Sequence, residues 1–211
     1  MVYGIAKMLN FAHGDIIMVG ASAVIVAVMQ LSLPPVIAIL ISIIVCAVLG
    51  VVIERLAYKP LRQAQPLTVL ITAIGVSYLL QNVALLIFGS EQKAFPTILK
   101  LPAIKLGQVT IDGITLVTLG VTAIIMIALT LFINKTKLGK AMRAVSEDKE
   151  AAGLMGISTN RTITITIAIG SALAAVASIF YGATYVYIKP TTGALPGIKA
   201  FTAAVFGGIG S

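Results

Sequence analysis

The chain has 211 residues, of which 59% are hydrophobic and only 10% charged. With a mean hydropathy of +1.07 it lacks the polar surface that a water-soluble domain needs. The net charge of +8 is no nucleic-acid footprint, because the basic residues cluster in loops between apolar runs, as a membrane topology signal does.

A membrane-spanning helix needs about 20 mainly apolar residues. In chain order, the opening MVYGIAKMLN lacks the charged start, apolar core and small-residue cleavage site of a secretory signal. Asn10, His13 and Asp15, with Gly14 among them, then precede the first span, residues 15–33, which stops at Pro34 and Pro35. Two readings stand for this entry. Asn or Asp caps a helix and His13 sits at the water interface, or the helix breaks inside the membrane, where irregular backbone is tolerated only if it is buried or lines a cavity. The second span covers residues 36–53 and holds the single cysteine, Cys46, so no intrachain disulfide can form. After the polar loop ERLAYKPLRQAQP comes a third span, 67–88. Its Gln81 and Asn82 are costly in lipid and are expected to face the bundle interior, bonding another helix or lining a pathway.

A longer connection, 89–112, leads to the fourth span, 114–133, and the loop 135–161 to the fifth, 162–188. On the fifth, Gly170, Ala174, Ser178 and Gly182 recur every four residues, a stripe that lets another helix approach closely. A sixth apolar segment begins near Ala200 and stops at Ser211, so both ends read as interior to a longer chain. The expected fold is an all-α, polytopic transmembrane bundle, residues 1–211 as one domain, with five full spans, a truncated sixth and a short helix in the loop 135–161. Loops 54–66 and 135–161 share one side and carry nine Lys and Arg, against five in loops 89–112 and 189–199. That bias puts loop 135–161 in the cytoplasm.

That loop holds three of the seven acidic residues, in AVSEDKEAAGLMGI. Leu138, Ala141, Met142 and Val145 fall at helical spacing, with Lys137, Lys140 and Arg143 largely off the stripe. Ser146 reads as the N-cap of a second short helix, with Glu147 and Asp148 in its first turn. Gly156 suits the left-handed position that ends it, and Thr159 or Asn160 is placed to cap the fifth span. Local capping alone accounts for the acids. Leu154 and Met155, with no core beneath them, also fit a docking element.

EAAGLMG, Glu150 to Gly156, resembles the EAA-x-x-x-G loop of ABC importer permeases. No Ile-x-Leu-Pro continuation follows Gly156, unlike the maltose and methionine type. Asn10-Phe11-Ala12-His13-Gly14 and GIKAFTAAVFGGIGS resemble the branch that holds the high-affinity leucine/isoleucine/valine permeases. The resemblance implies a permease subunit of the cytoplasmic membrane that moves branched-chain amino acids. ATPase subunits would dock on a coupling helix at Glu147, Asp148, Glu150, Ala151, Ala152, Leu154, Met155 and Gly156. A solute-binding protein would deliver substrate at the outer face, and a second, related permease would complete the bundle. ATP would be used by the partners, because this chain has no G-x-x-x-x-G-K-[ST] loop. One His without neighbouring ligand types leaves no metal site. On the broken-helix reading, Asn10, His13 and Gly14 line the substrate pathway, with a companion break at Gly207 and Gly208, and a helix N-terminus suits the substrate carboxylate. The rivals are a urea or short-amide permease of the same branch, an ion-coupled secondary transporter, and a structural membrane subunit.

Overall fold

The computed structural model describes residues 11–62, 64–98, 104–106 and 109–207. Five helices are long and apolar enough to cross a membrane. Helix α1 (His13–Ile25) widens into a π-helical turn, Val26–Gln30. Helix α2 (Pro35–Ile53) does the same over Glu54–Tyr58, where the Lys59 N–H donates to the Glu54 carbonyl. Helix α3 is Pro66–Phe88 and α4 is Gly113–Lys135. The helices α5 (Lys137–Glu147) and α6 (Lys149–Leu154) form the loop that follows. Helix α7 is Thr159–Tyr185 and α8 is Ala194–Phe206. Strands β1 (Lys93–Ala94) and β4 (Tyr187–Ile188) pair antiparallel, as do β2 (Ile104–Leu106) and β3 (Val109–Ile111).

Local chemistry sets the boundaries. Pro35 and Pro66 open α2 and α3, where a missing N–H costs nothing, and the residue before each is extended. Gly89, at φ +78°, ends α3. The Asp112 carboxylate accepts from the Ile114 N–H and starts α4. Three boundaries depart from the sequence expectation. The loop expected from Glu54 is helical as far as Tyr58, because Glu54 is wholly buried rather than solvated. The fifth span begins at Thr159 and ends at Tyr185, with Ile188 in a strand. The sixth apolar helix starts at Ala194, so Lys199 lies within it and not in an outer loop.

The core is the packing of α1, α2 and α7, and small residues bring the three together. A Cβ on Gly20 would lie 2.7 Å from the Ser178 hydroxyl and 3.0 Å from the Cys46 sulfur. The stripe Gly170, Ala174, Ser178, Gly182 is buried along α7, as expected of a helix seam. At its far end the Phe95 ring lies flush on Gly182, held there by the Phe95 N–H donating to the Val186 carbonyl. Helices α3 and α4 bury little of themselves within this chain. Of the polar pair expected to face inward on α3, Gln81 does so, whereas Asn82 is exposed and donates to the Tyr78 carbonyl of its own helix.

Candidate functional site: a buried polar station at mid-bundle and a capped loop helix

The described part of α1 begins at His13, and its first turn meets the first turn of α8. A Cβ on Gly14 would strike the Gly193 carbonyl and lie 2.7 Å from the Gly197 Cα. A Cβ on Gly193 would lie 2.6 Å from the Asp15 Cα. Only glycine permits this backbone-on-backbone crossing. The chain reaches it from β4: Lys189 and Pro190 share a cleft with Ser22 and Ile25, three turns further along α1, and by Gly193 the chain lies beside Gly14. Phe11 and Phe201, with ring centroids 5.0 Å apart, close the far side.

Asp15 does not cap α1, whose N-cap is Ala12 without a side-chain bond. Its carboxylate is 1% exposed and turns to α3, where the Ser77 hydroxyl donates to Oδ2 and the Gln81 amide donates to Oδ1 at 3.1 Å. Gln81 also donates to Ser77 at 3.2 Å. Ser77 lies midway along α3, roughly 16 Å from either end at about 1.5 Å per residue. The Asp15 carboxylate is therefore at the middle of the bundle's depth. Val69, Ala73 and Ala84 are the buried apolar positions on α3, and Ser77 and Gln81 fall between them at helical spacing.

The substrate-pathway residues expected from sequence are only partly brought together. His13 and Gly14 are at the crossing. Their companions there are Gly193 and Gly197, while Gly207 caps the opposite end of α8, roughly 20 Å away along a helix of 13 residues. Asn10 and Gly208 lie outside the described residues. Sequence reasoning missed Gly193, Gly197 and Ser77. The available signals were a Gly-x-x-x-Gly in an apolar run and a Ser four residues before Gln81.

The second region is the loop on the basic side. The Thr136 hydroxyl caps α5 by accepting from the Gly139 N–H at 2.9 Å, and Met142 and Val145 are fully buried on the expected stripe. The expected cap of α6 is corrected: Ser146 lies inside α5 and its hydroxyl donates back to the Arg143 carbonyl. Asp148 is the N-cap, accepting from the Glu150 and Ala151 N–H groups at 2.8 and 3.1 Å. Glu147 ends α5, so Glu150 is the acid in the first turn of α6. Gly156, at φ +80°, closes α6: its N–H donates to the Gly153 carbonyl and the Ile157 N–H to the Ala152 carbonyl, a paired left-handed stop. Ala152 is buried, whereas Leu154 and Met155 are 90% and 83% exposed.

This loop is tied to the bundle. The Thr159 hydroxyl donates to the Lys149 carbonyl at 3.3 Å. Neither Thr159 nor Asn160 caps α7; the N-cap is Ser158, and the Asn160 side chain instead accepts from Arg62. Arg62 also pairs with Glu54, which is 0% exposed, and the Thr164 hydroxyl donates to the second Glu54 oxygen at 2.9 Å. The end of α2 and the start of α7 are thus joined beside α6. Among the described residues, no three His, Cys, Asp or Glu side chains converge on a metal position.

Comparison with known proteins agrees with this architecture. Residues 1–211 match the family described as "Branched-chain amino acid transport system / permease component". The chain is 44% identical over its whole length to 73% of the high-affinity branched-chain amino acid transport system permease protein BraD of Pseudomonas aeruginosa. It is 40% identical, again over its whole length, to 72% of the permease protein LivH of Escherichia coli K12. The probable LivH of Methanocaldococcus jannaschii is 28% identical over 99% of the chain and 67% of its own length. No solved structure matches. With five apolar spans, an inward-facing carboxylate and a match along its full length, this chain is a multi-pass membrane protein belonging to the branched-chain amino acid transport permease family.

Proposed function

We propose that the chain is the permease subunit of an ATP-driven importer that carries leucine, isoleucine and valine across the cytoplasmic membrane. The observation that carries the ATP-driven part is the tip of α6. Two large apolar side chains, Leu154 and Met155, project from a helix that is capped at both ends and anchored by Ala152. A monomer gains nothing by exposing them, and they suit a cleft on a soluble ATPase subunit. Glu147, Asp148 and Glu150 would form the polar rim of that contact, Asp148 also as the cap, with the exposed Ala151 beside them.

Movement of α6 has a direct route inward. Ala152 shares a core with Val145, Ile163 and Ile53, and the Glu54–Arg62–Asn160 cluster holds α2 to α7. Those two helices enclose α1, which bears the Gly14–Gly193 crossing. Closure of the ATPase pair would shift α6, and the rigid α2–α7 pair would pass the shift to the crossing. There the helix starts, with their partial positive charge, suit the substrate carboxylate, in line with a pathway at His13 and Gly14. A solute-binding protein would dock on the side that carries β1 and β4, and a second permease would cover α3 and α4.

Uptake of radiolabelled leucine into right-side-out or reconstituted vesicles, with ATP on the ATPase side, tests the reading. The full-length chain with its partners is expected to accumulate leucine only with ATP, with valine and isoleucine competing and urea failing to compete. Uptake that persists without ATP under an ion gradient, or competition by urea alone, would contradict it.

A further inference from the structure

The Asp15 carboxylate has a feature that the crossing of α1 and α8 does not explain. It is an ionisable group at mid-depth with two neutral donors, Ser77 and Gln81, and among the described residues no Lys, Arg or His pairs with it. The other six acids of the chain are elsewhere. Glu54 is at the basic-side end of α2 with Arg62, and Glu91, Asp112, Glu147, Asp148 and Glu150 lie outside the five spans. A buried carboxylate with no counter-charge is costly in an apolar bundle, and neutral donors offset only part of that cost. Asn would accept from Gln81 through its one oxygen and could donate to the Ser77 hydroxyl, filling the same space without the charge. Among the described residues, the contacts of the carboxylate do not account for a charge at this depth.

The surroundings allow a cation to reach it. Helix α3 buries only 11% of its span within the chain. Ser77 and Gln81 are half-buried and stand between Asp15 and the open side of α3. On the opposite side Gly193 abuts Asp15; a Cβ there would be 2.7 Å from Oδ1. The missing methyl of Gly193 leaves the carboxylate facing the crossing where the two helix starts meet, and a shift of α3 would free it from Ser77 and Gln81.

The geometry points to Asp15, positioned by Ser77 and Gln81, as the acceptor for the protonated amino group of the amino acid in transit. The inference rests on the transport reading above and deepens it: helix starts for the carboxylate, Asp15 for the ammonium. The two charges of a zwitterion would then be matched over a few ångströms, and the aliphatic side chain would need only apolar walls.

The test uses the full-length chain assembled with its ATPase, second permease and binding-protein partners in proteoliposomes. Asp15→Asn keeps the shape and a polar partner for Ser77 and Gln81 while removing the charge, whereas Asp15→Glu keeps the charge and alters the reach. Leucine uptake is expected to fall at least about thirtyfold in Asp15→Asn, as for the loss of one member of a buried charge pair. Asp15→Glu is expected to retain clearly more uptake than Asp15→Asn. Asn that transports like wild type, or better than Glu, would overturn the inference. If both variants fail to assemble, Ser77→Cys in a Cys46→Ser background decides. Leucine-loaded binding protein is expected to slow modification of that thiol by a small cationic thiosulfonate, and equal rates with empty binding protein would overturn the inference. A wild-type complex that imports no leucine would overturn the transport reading and this inference with it.

Discussion

Gly14 shows how one missing methyl group can set a fold. Any Cβ there overlaps the Gly193 carbonyl, so Gly14→Ala must push α1 and α8 apart. Overpacking of this kind costs about 1–3 kcal/mol. The variant is expected to lower the melting temperature in detergent and to depress uptake, while Gly153→Ala, with open space around its Cβ position, leaves the melting temperature unchanged. Asp148 and Ser146 make a second pair. Asp148→Ala removes two bonds to free N–H groups and is expected to destabilise α6 by about 1 kcal/mol. Ser146→Ala is expected to leave amide exchange in α6 unchanged, because its hydroxyl serves α5. From sequence the two were hard to rank: both are good caps two residues apart, and the choice depends on how far α5 runs before it turns.

At the scale of elements, the apolar runs made five helices legible, and punctuation made some ends sharp. Pro66, Gly89 and Asp112 mark α3 and α4 to within a residue or two of the expected spans. The end of α2 was not legible, because a Glu after an apolar run reads as the onset of solvent. Here the charge is buried by a partner eight residues on, and the helix widens rather than stops. The start of α8 was hidden for a different reason: Pro196 and Lys199 interrupt the apolar pattern, although proline in a first helical turn costs no hydrogen bond. The Glu54 cluster carries its own prediction. Glu54→Gln leaves Arg62 without its counter-charge, and breaking a buried pair costs about 3–5 kcal/mol. Thermal unfolding in detergent is expected to show that loss, with much of it regained when Arg62→Met is added. A double variant no better than the single one would mean that the cluster does not act as a pair.

For the molecule as a whole, the proposed transport cycle requires two regions some distance apart to work together. The candidate station at Asp15, Gly14 and Gly193 is at mid-depth, and α6 lies on the basic side. The link between them is the α2–α7 pair, closely packed through Gly50 on Ser171. His13, Gly14 and the short helix of loop 135–161 stood out in the sequence, whereas their neighbours Gly193 and Ser77 did not. They are brought in by a re-entrant turn and a helix register, which sequence spacing along one segment does not encode. Leu154→Ser combined with Met155→Ser gives a prediction at this scale. Both side chains are exposed, so stability is expected to change by less than about 0.5 kcal/mol, while ATPase binding and uptake are lost.

The most direct measurement is cysteine cross-linking at the tip of α6. The full-length chain, with Cys46→Ser and Leu154→Cys, is co-expressed with ATPase subunits that carry single cysteines around the cleft facing the membrane. A disulfide whose yield changes with nucleotide is the predicted result, and it would establish α6 as the point where ATP-driven movement enters the bundle. Assembled complexes that form no cross-link at any cleft position, with or without ATP, would contradict the account.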